Sequence, residues 1–264
     1  MRLQVAAFKI KFHESVIYRS NVLINFFFGC VPLFVSILLW KAIYGTEFSE
    51  IGNYSYSQMI TYYVLVFLCS QILDARDNTV KISEMIRDGS MHNFMLKPID
   101  FICYNFKLFF AEKVLYVINI SIPFAIFVTI ISMHVYWEMD NVLFFLISLC
   151  LAFFLKYLIG CILGFLTIWI EEISGLLDLW DNIEAFLAGG VIPLTLFPVI
   201  LKDVVAYLPF KYTLFVPIDI YMGNLSYQEV LIAVEIQILW CVILGSILHL
   251  VRKMAKKKYS GYGS

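Results

Sequence analysis

The sequence has few charged residues and lacks the common motifs for binding or hydrolysing nucleotides. Only 15% of its 264 residues are charged and 61% are hydrophobic, so its mean hydropathy of +0.84 lies far above that of a soluble domain. No Gly-Lys dipeptide occurs, so the phosphate-binding Gly-x-x-x-x-Gly-Lys-Ser/Thr loop is absent. A Gly-x-Ser-x-Gly elbow and a His-Glu-x-x-His pair are absent too. The sequence therefore predicts no enzyme of these classes. Any energy that the protein uses would come from an ion gradient or from another subunit.

The cysteines and histidines give no sign of a disulfide framework or a metal site. The six cysteines stand singly, without a Cys-x-x-Cys pair, which is typical of small buried hydrophobic residues. The four histidines are dispersed and lack the spacing of metal ligands. We therefore expect neither a metal nor another cofactor in this chain.

Long apolar runs recur along the whole chain. A helix needs about 20 residues to cross ~30 Å of hydrocarbon, and six runs approach or exceed that length. The sequence thus predicts an all-α polytopic membrane protein with six transmembrane helices, and residues 1–264 as a single transmembrane domain. The predicted spans are Val22–Ile43, Tyr56–Leu73, Val114–Met133, Val142–Tyr157 with an extension to about Ile168, Leu176–Leu196 and Val230–Val251.

The basic residues are concentrated on one side of these spans. They precede the first span, lie in the segment 74–113 between the second and third, and follow the last span. Because cytoplasmic segments carry the excess of Lys and Arg, both termini, the 74–113 loop and the basic tail 252–264 are predicted to be cytoplasmic. The residues concerned are Arg2, Lys9, Lys11, Arg19, Arg76, Lys81, Arg87, Lys97, Lys107, Lys113, Arg252, Lys253, Lys256, Lys257 and Lys258.

The first 20 residues form an amphipathic segment rather than a signal peptide. Phe8, Phe12 and Val16 recur at four-residue spacing, and interleaved charges leave no continuous apolar run. The pattern predicts a helix in the membrane interface, held by apolar burial and by attraction to anionic headgroups. A juxtamembrane cytosolic helix fits the pattern equally well.

Few polar residues lie within the predicted spans. Lys156 is on the cytoplasmic side of the fourth span, where a lysine side chain can snorkel to the interface. Glu235 is the best candidate for a buried acid, and Asp181 and Glu184 can face a cavity. Together with Asn25 of the first span, these three acids are the polar residues expected along a pathway. A proton relay needs more such groups converging at mid-membrane.

The segment 187–223 is apolar, yet glycine and proline interrupt it too often for an ordinary transmembrane helix. Irregular backbone at membrane depth requires surrounding protein or a water-filled cavity. We therefore expect short re-entrant or surface-lying helices between the fifth and sixth spans, which form a lid at the exit side. An outer loop with packed amphipathic helices predicts nearly the same structure. The expected gate residues are Gly189, Gly190, Pro193, Pro198, Pro209 and Phe210.

The segment Val80–Pro98 is a charged, amphipathic stretch between hydrophobic blocks. Its apolar residues fall at helical spacing on both sides of an interruption at Gly89-Ser90, and Lys97-Pro98 ends the pattern. An apolar face that contains methionine suits docking in a groove of a partner protein. The alternative is that this face lies on the inner membrane surface. The expected partner contacts are Ile82, Glu84, Met85, Ile86, Arg87, Asp88 and Met91, and Phe94 and Met95 continue the face.

This segment resembles the cytoplasmic loop of ABC-2-type transporter permeases, whose closest group contains uncharacterised permease components of bacteria. Ile86-Arg87-Asp88-Gly89, followed by Met91 and Met95-Leu96-Lys97-Pro98, is similar to the family's Ile-Arg-x-Gly-x-Leu…Leu-Leu-Lys-Pro pattern. Methionine replaces the usual leucine at 91 and 95. The resemblance covers essentially the whole chain and also includes Tyr18-Arg19-Ser20-Asn21, Ile192-Pro193-Leu194, Phe197-Pro198, Leu208-Pro209-Phe210, Pro217 and Tyr221-Met222-Gly223.

The resemblance implies a permease subunit of an ATP-driven exporter in the bacterial cytoplasmic membrane. In such a subunit a cytoplasmic coupling helix lies between spans two and three, and re-entrant helices precede span six. Two permeases pair, as a homodimer or with a related second permease, and two copies of a separate ABC ATPase, which uses ATP and Mg²⁺, bind below. Arg87 would pair with an acidic group of the ATPase. The path would lie between the permeases, lined by spans one, two and five, and carry an amphiphilic substrate such as a drug, antimicrobial peptide or lipid. Membrane lipids are expected partners, and nucleic acids are not.

Two other functions fit the sequence. A secondary carrier or channel would follow an ion gradient without nucleotide, with Glu235 or Asp181 titrating during the cycle. An integral-membrane enzyme would act on a lipid through the acidic cluster around Glu171 and Glu172, and the purified chain alone would turn over its substrate.

Overall fold

The computed structural model describes residues 19–45, 50–52, 54–91, 94, 100–131, 141–170 and 172–260. These ranges contain helices and turns, with one isolated antiparallel bridge between Ile51 and Tyr54. Residues 1–18 of the predicted interfacial helix, and Met95 to Pro98 of the amphipathic segment, lie outside the described residues. The helices are α1 Arg19–Tyr44, α2 Tyr56–Leu73, α3 Arg76–Arg87, α4 Phe101–Ile131, α5 Val142–Leu166, α6 Ser174–Leu187, α7 Val199–Ala206, α8 Phe210–Thr213, α9 Phe215–Tyr221 and α10 Tyr227–Ser260, with a 3₁₀ turn at Leu194–Leu196.

Five helical stretches in the described part of the chain are long and apolar enough to cross a membrane. This agrees with the prediction of an all-α polytopic membrane protein. The helix α2 has the predicted bounds, and α5 begins at the predicted Val142. The five stretches are Phe26–Tyr44, Tyr56–Arg87, Phe101–Phe127, Val142–Leu166 and Tyr227–Lys256.

The fifth predicted span is shorter than expected. The corresponding helix, α6, has 14 residues, which is a length of about 21 Å, and it ends at Leu187 instead of Leu196. At its end Gly189 has a φ of 82°, Gly190 N donates to Ala185 O at 2.8 Å, and Gly189 N donates to Phe186 O at 3.2 Å. This is a Schellman motif, which terminates a helix. The predicted helical extent to Leu196 is therefore wrong, because the glycine pair ends the helix first.

Two helices are longer than expected. The helix α4 begins at Phe101, where Asp100 Oδ1 accepts a hydrogen bond from Cys103 N at 3.1 Å. Such a bond caps a helix N-terminus, so the last part of the predicted 74–113 loop is helical. The helix α10 continues through most of the basic tail to Ser260. There Lys258 Nζ donates to Ile168 O at 3.0 Å and supplies a partner for a carbonyl just beyond α5.

The described residues within Met1–Ile72 and Ile99–Trp137 form one compact unit, which contains α1, α2 and α4. Aromatic side chains fill the core between α1 and α2, where Trp40 and Tyr63 pack with ring centroids 6.1 Å apart. Tyr44 Oη donates to Tyr54 O at 2.7 Å, which ties the end of α1 to the segment before α2. Gln71 joins α2 to α4, because its Oε1 accepts from Tyr116 Oη at 2.9 Å.

The described residues within Leu73–Pro98 and Glu138–Ser264 form the second compact unit, which is built around α5. The helices α3, α9 and α10 all pack on α5. The side of α5 that they cover is almost fully buried, as at Ala152, Leu155 and Tyr157. This unit contains the candidate coupling helix and the short helices of the 187–223 segment.

Candidate functional site

The helix α3 divides into a buried face and an exposed, charged face. Asn78, Thr79, Ile82, Ser83 and Ile86 are buried, and Ile82 has no exposed surface at all. The repeat of these positions at three and four residues is that of one helix face. The opposite face exposes Asp77, Lys81, Glu84 and Arg87, and Asp88 follows them at the end of the helix.

The buried face of α3 lies against two glycines of α5. A Cβ atom added to Gly164 would lie 2.9 Å from both Cβ and Cγ2 of Ile82. One added to Gly160 would lie 2.8 Å from Oγ1 of Thr79 and 3.1 Å from Cβ of Ala75. Small residues spaced by four let two helix backbones approach closely in a membrane. The Gly160-x-x-x-Gly164 pair therefore forms the groove in which α3 lies.

A buried hydrogen bond fixes the far end of this helix pair. Thr167, just after α5, donates from Oγ1 to Ser83 Oγ at 2.9 Å, and both residues are buried. A satisfied hydroxyl pair in a buried interface is costly to break, because each hydroxyl would lose its partner without gaining water. The hydrogen bond therefore fixes the register of α3 on α5.

The end of α3 is a tight turn. Gly89 has a φ of 78°, a conformation that glycine adopts without strain, and Ser90 N donates to Asp88 Oδ1 at 2.8 Å. Hydrogen bonds from the backbone and side chain of Ser90 lower the pKa of the Asp88 carboxyl. After the turn Met91 is 3% exposed, so it joins the buried side of the segment rather than its surface.

Glu172 lies close enough to the end of α3 for the charge of Arg87 to affect its pKa. Hydrogen bonds from the side chain and backbone of Ser174, and then the positive charge of Arg87, lower the pKa of Glu172. Both Glu172 and Arg87 are exposed. The exposed end of α3 thus carries charges of both signs.

The first residue of α3 is bound to α6 by ion pairs. Arg76 Nη2 lies 2.6 Å from Asp178 Oδ1, and Arg76 Nη1 pairs with Asp181 Oδ2. These side chains are 37%, 65% and 43% exposed respectively, so the contacts lie at a partly open surface. The planar guanidinium has several donors in fixed directions and can hold two carboxylates at once.

A second ion pair, between α5 and α6, is less exposed, with Glu184 buried and Lys156 half-buried. Lys156 Nζ lies 2.7 Å from Glu184 Oε2, with side chains only 20% and 8% exposed. Trp180 Nε1 donates to the same carboxylate at 3.2 Å, and Thr213 Oγ1 of α8 donates to its other oxygen at 3.3 Å. The sequence predicts only that the Lys156 side chain snorkels to the interface. In the structure its ammonium group has a carboxylate partner inside the protein.

Prolines begin the short helices of the 187–223 segment. Pro193, Pro198 and Pro209 each stand at the N-cap of the following helix or 3₁₀ turn. Proline is tolerated there because the N–H that it lacks would have no partner within the helix. Phe210, the first residue of α8, packs on Trp180 of α6 with ring centroids 5.2 Å apart. The segment is thus a chain of short helices, as expected.

A buried glutamine links α10 to the helices around it. Gln237 has no exposed surface, and its Oε1 accepts from Ser148 Oγ at 2.9 Å. Its Nε2 donates to Ser148 O at 3.2 Å and to Tyr212 O at 2.9 Å. One side chain therefore joins α5, α8 and α10.

The predicted site residues fall into distinct environments. Of the expected partner contacts, Ile82, Ile86 and Met91 are buried inside the chain and Met85 is half-buried, whereas Glu84, Arg87 and Asp88 are exposed. Of the expected gate residues, Gly189, Pro193 and Phe210 are buried, Gly190 and Pro209 are half-buried, and Pro198 is exposed.

Of the expected pathway acids, Asp181 and Glu184 lie three residues apart on α6, whereas Glu235 lies on α10. Glu184 is buried and Asp181 half-buried, but Glu235 is exposed, so the expectation that it is a buried acid is wrong. The reason is its register on α10, where the buried positions Ala233 and Gln237 stand two residues away on either side. Asn25 lies on α1, and its side chain is outside the described part of the structure.

Several residues of the site were missed in the sequence. The Gly160-x-x-x-Gly164 spacing is visible there and is a known signal for close helix packing. A buried acid, Asp219, accepts from Asn224 Nδ2 at 2.7 Å, and no pattern in the sequence indicated it. Among the described residues, no group of three or more His, Cys, Asp or Glu side chains could hold a metal ion.

The long apolar helices and the buried polar contacts between them define a multi-pass, all-α membrane protein. Over residues 30–263 the sequence matches the family described as ABC-2 family transporter protein. The match spans nearly the whole chain, so the chain belongs to this family and is a membrane subunit of a transporter. A search of curated proteins found no match.

Proposed function

We propose that this chain is the transmembrane subunit of an ATP-driven exporter, and that a separate ABC ATPase docks on the exposed face of α3. Family membership supports the role in transport. The sequence contains no phosphate-binding loop, so ATP-driven transport by this chain would need a separate ATPase subunit. ATP and Mg²⁺ would then be used by the partner subunit.

The observation that carries this proposal is the division of α3 into two faces. Its apolar half is clamped on α5, and its charged half, with Glu84 and Arg87, is left at the surface. A helix that packs on a transmembrane helix through one face can transmit to it the movement of a partner that is bound to the other face. In this arrangement Ile82, Ile86 and Met91 hold the docking helix in place, and the exposed charges contact the ATPase.

The charge pattern of the sequence and the family membership support the remaining features of the proposal. Six spans would place both termini and α3 on the cytoplasmic side of a bacterial membrane, with α6 and the residues after it supplying the fifth span. Two permease copies, or this chain and a related permease, would enclose the path of an amphiphilic substrate. The 187–223 segment would form the re-entrant lid on the exit side.

Co-purification tests the docking face. Arg87→Glu reverses an exposed charge on α3, and Lys202→Glu makes the same change at an exposed position of α7. We expect the native chain and Lys202→Glu to retain an ABC ATPase during purification and to stimulate its ATP hydrolysis. Arg87→Glu is expected to lose both. Because contacts between exposed charges are screened by salt, the native complex should also weaken as ionic strength rises.

Two results would contradict the proposal. One is retention of the ATPase by Arg87→Glu at the native level. The other is substrate transport by the purified chain alone, driven by an ion gradient without nucleotide, which is what a secondary carrier predicts. Turnover of a lipid by the chain alone would instead support the membrane enzyme.

A further inference from the structure

Three acids on one face of α6 are all engaged by basic side chains from other helices. Asp178, Asp181 and Glu184 follow each other at three-residue spacing, so they form a row along the helix. Arg76 of α3 holds the first two, and Lys156 of α5 holds the third. We call these five residues the ion ladder.

The ion ladder connects α3 to the short helices. Arg76 is the first residue of α3, the helix proposed to receive the ATPase. At the other end Glu184 Oε1 lies 3.3 Å from the hydroxyl of Thr213 of α8, which also donates to Phe210 O at 2.8 Å, and Thr213 is 1% exposed. A continuous set of contacts therefore runs from α3 through α6 to α8.

The two ends of the ladder differ in strength. Partly exposed ion pairs such as those of Arg76 are individually weak and can open and close. In the Lys156–Glu184 pair the carboxylate is buried and the lysine half-buried, and removing the lysine leaves a buried charge, which is strongly destabilising. The Lys156 end is therefore a fixed point on α5, whereas the Arg76 end follows α3.

We propose that the ion ladder transmits movement of α3 to α8, with Lys156–Glu184 as the fixed point about which α6 responds. The biological role of this transmission rests on the proposed function, whereas the transmission itself depends only on contacts within this chain. It assigns Arg76, Lys156 and Glu184 as positioning residues. The alternative is that each contact stabilises only its own pair of helices.

A double-mutant cycle on the full chain in lipid nanodiscs distinguishes these possibilities. Hydrogen exchange is measured on the segment 207–214, which contains α8. Arg76→Ala is expected to raise its exchange rate by about fivefold, the scale of losing a weak ion pair. Asp77→Ala, which removes the neighbouring exposed charge, is the matched control and should leave this segment unchanged.

The same Arg76→Ala change is then made in the Lys156→Met/Glu184→Gln background. Replacing both members of a buried ion pair is far milder than removing one, so this background should fold. There Arg76→Ala should still raise exchange in α6 but no longer in 207–214. If the neutral background fails to fold, Thr213→Val takes its place; it removes the contact with Glu184 together with the hydrogen bond from Thr213 Oγ1 to Phe210 O at 2.8 Å. The effect of Arg76→Ala is then measured relative to the Thr213→Val variant itself, so that the loss of the second hydrogen bond cancels.

An unchanged rate in 207–214 on Arg76→Ala in the native chain would overturn the proposal. So would an equal effect in both backgrounds, because independent contacts give additive changes. The proposed docking of an ATPase is tested separately by co-purification, and its failure would leave these exchange results standing.

Discussion

Replacing Gly164 by alanine tests how closely α3 is held on α5. The added Cβ would lie 2.9 Å from Cβ and Cγ2 of Ile82 and 3.1 Å from the carbonyl oxygen of Thr79. The first distance must rise to at least 3.4 Å for ordinary contact. Neither Ile82 Cβ nor a backbone oxygen can move by a side-chain rotation, so α3 and α5 have to move apart.

The cost of this movement is set by two opposing effects. Overpacking a buried contact by one methyl group costs about 1–3 kcal/mol. Alanine in a helix is more favourable than glycine by about 1 kcal/mol, which offsets part of that cost. Gly245→Ala in α10 is the matched control, because nothing lies within 4 Å of the added Cβ. The free energies of unfolding of the two variants should therefore differ by about 1–3 kcal/mol, with Gly164→Ala less stable.

Thermal or denaturant unfolding in detergent measures this difference, and hydrogen exchange locates it. We expect faster exchange in residues 76–87 of Gly164→Ala and native exchange there in Gly245→Ala. ATPase stimulation should fall in Gly164→Ala, because α3 is displaced. Equal stability of the two variants, with native exchange in α3, would refute the close α3–α5 contact.

Three further substitutions test other contacts of the second unit by unfolding in detergent. Gln237→Leu leaves the carbonyl of Tyr212 without its partner and should cost about 1–3 kcal/mol; native stability would contradict its role. Gly189→Ala forces alanine to a φ of 82° and should cost about 1–2 kcal/mol; an unchanged melting temperature would argue against the Schellman turn. Lys156→Met leaves the buried Glu184 without its ion-pair partner and should lower the free energy of unfolding by about 3–5 kcal/mol. Adding Glu184→Gln should restore most of this stability; if it does not, the unpaired carboxylate is not the cause of the loss.

The transmembrane helices could be predicted because hydrophobic length is a local property of the sequence. The bounds of α2 and the start of α5 agree with the prediction. The errors lie at helix ends, where one residue decides the outcome. Asp100 caps α4, whose first residue, Phe101, lies thirteen residues before the predicted Val114, and Gly189 ends α6 before the predicted Leu196.

The partners of the charged residues could not be predicted. Arg76 and Asp181 are 105 residues apart in the sequence, and their pairing depends on how α3 and α6 lie on α5. The sequence places Lys156 near the membrane interface, where snorkelling is the simplest expectation. Only the packed structure brings Glu184 within 2.7 Å of it.

The amphipathic pattern of α3 predicted a helix but not what covers its apolar face. Ile82 and Ile86 have the spacing of a docking surface, and the same spacing serves equally well for packing inside the chain. Gly160 and Gly164 decide between the two, because they leave room on α5 for the backbone of α3. For a coupling helix this burial is an advantage. A partner bound to a loosely attached helix would move only that helix. In the proposed complex, a partner bound to α3 would also displace α5, on which α3 is packed, and α6, through Arg76.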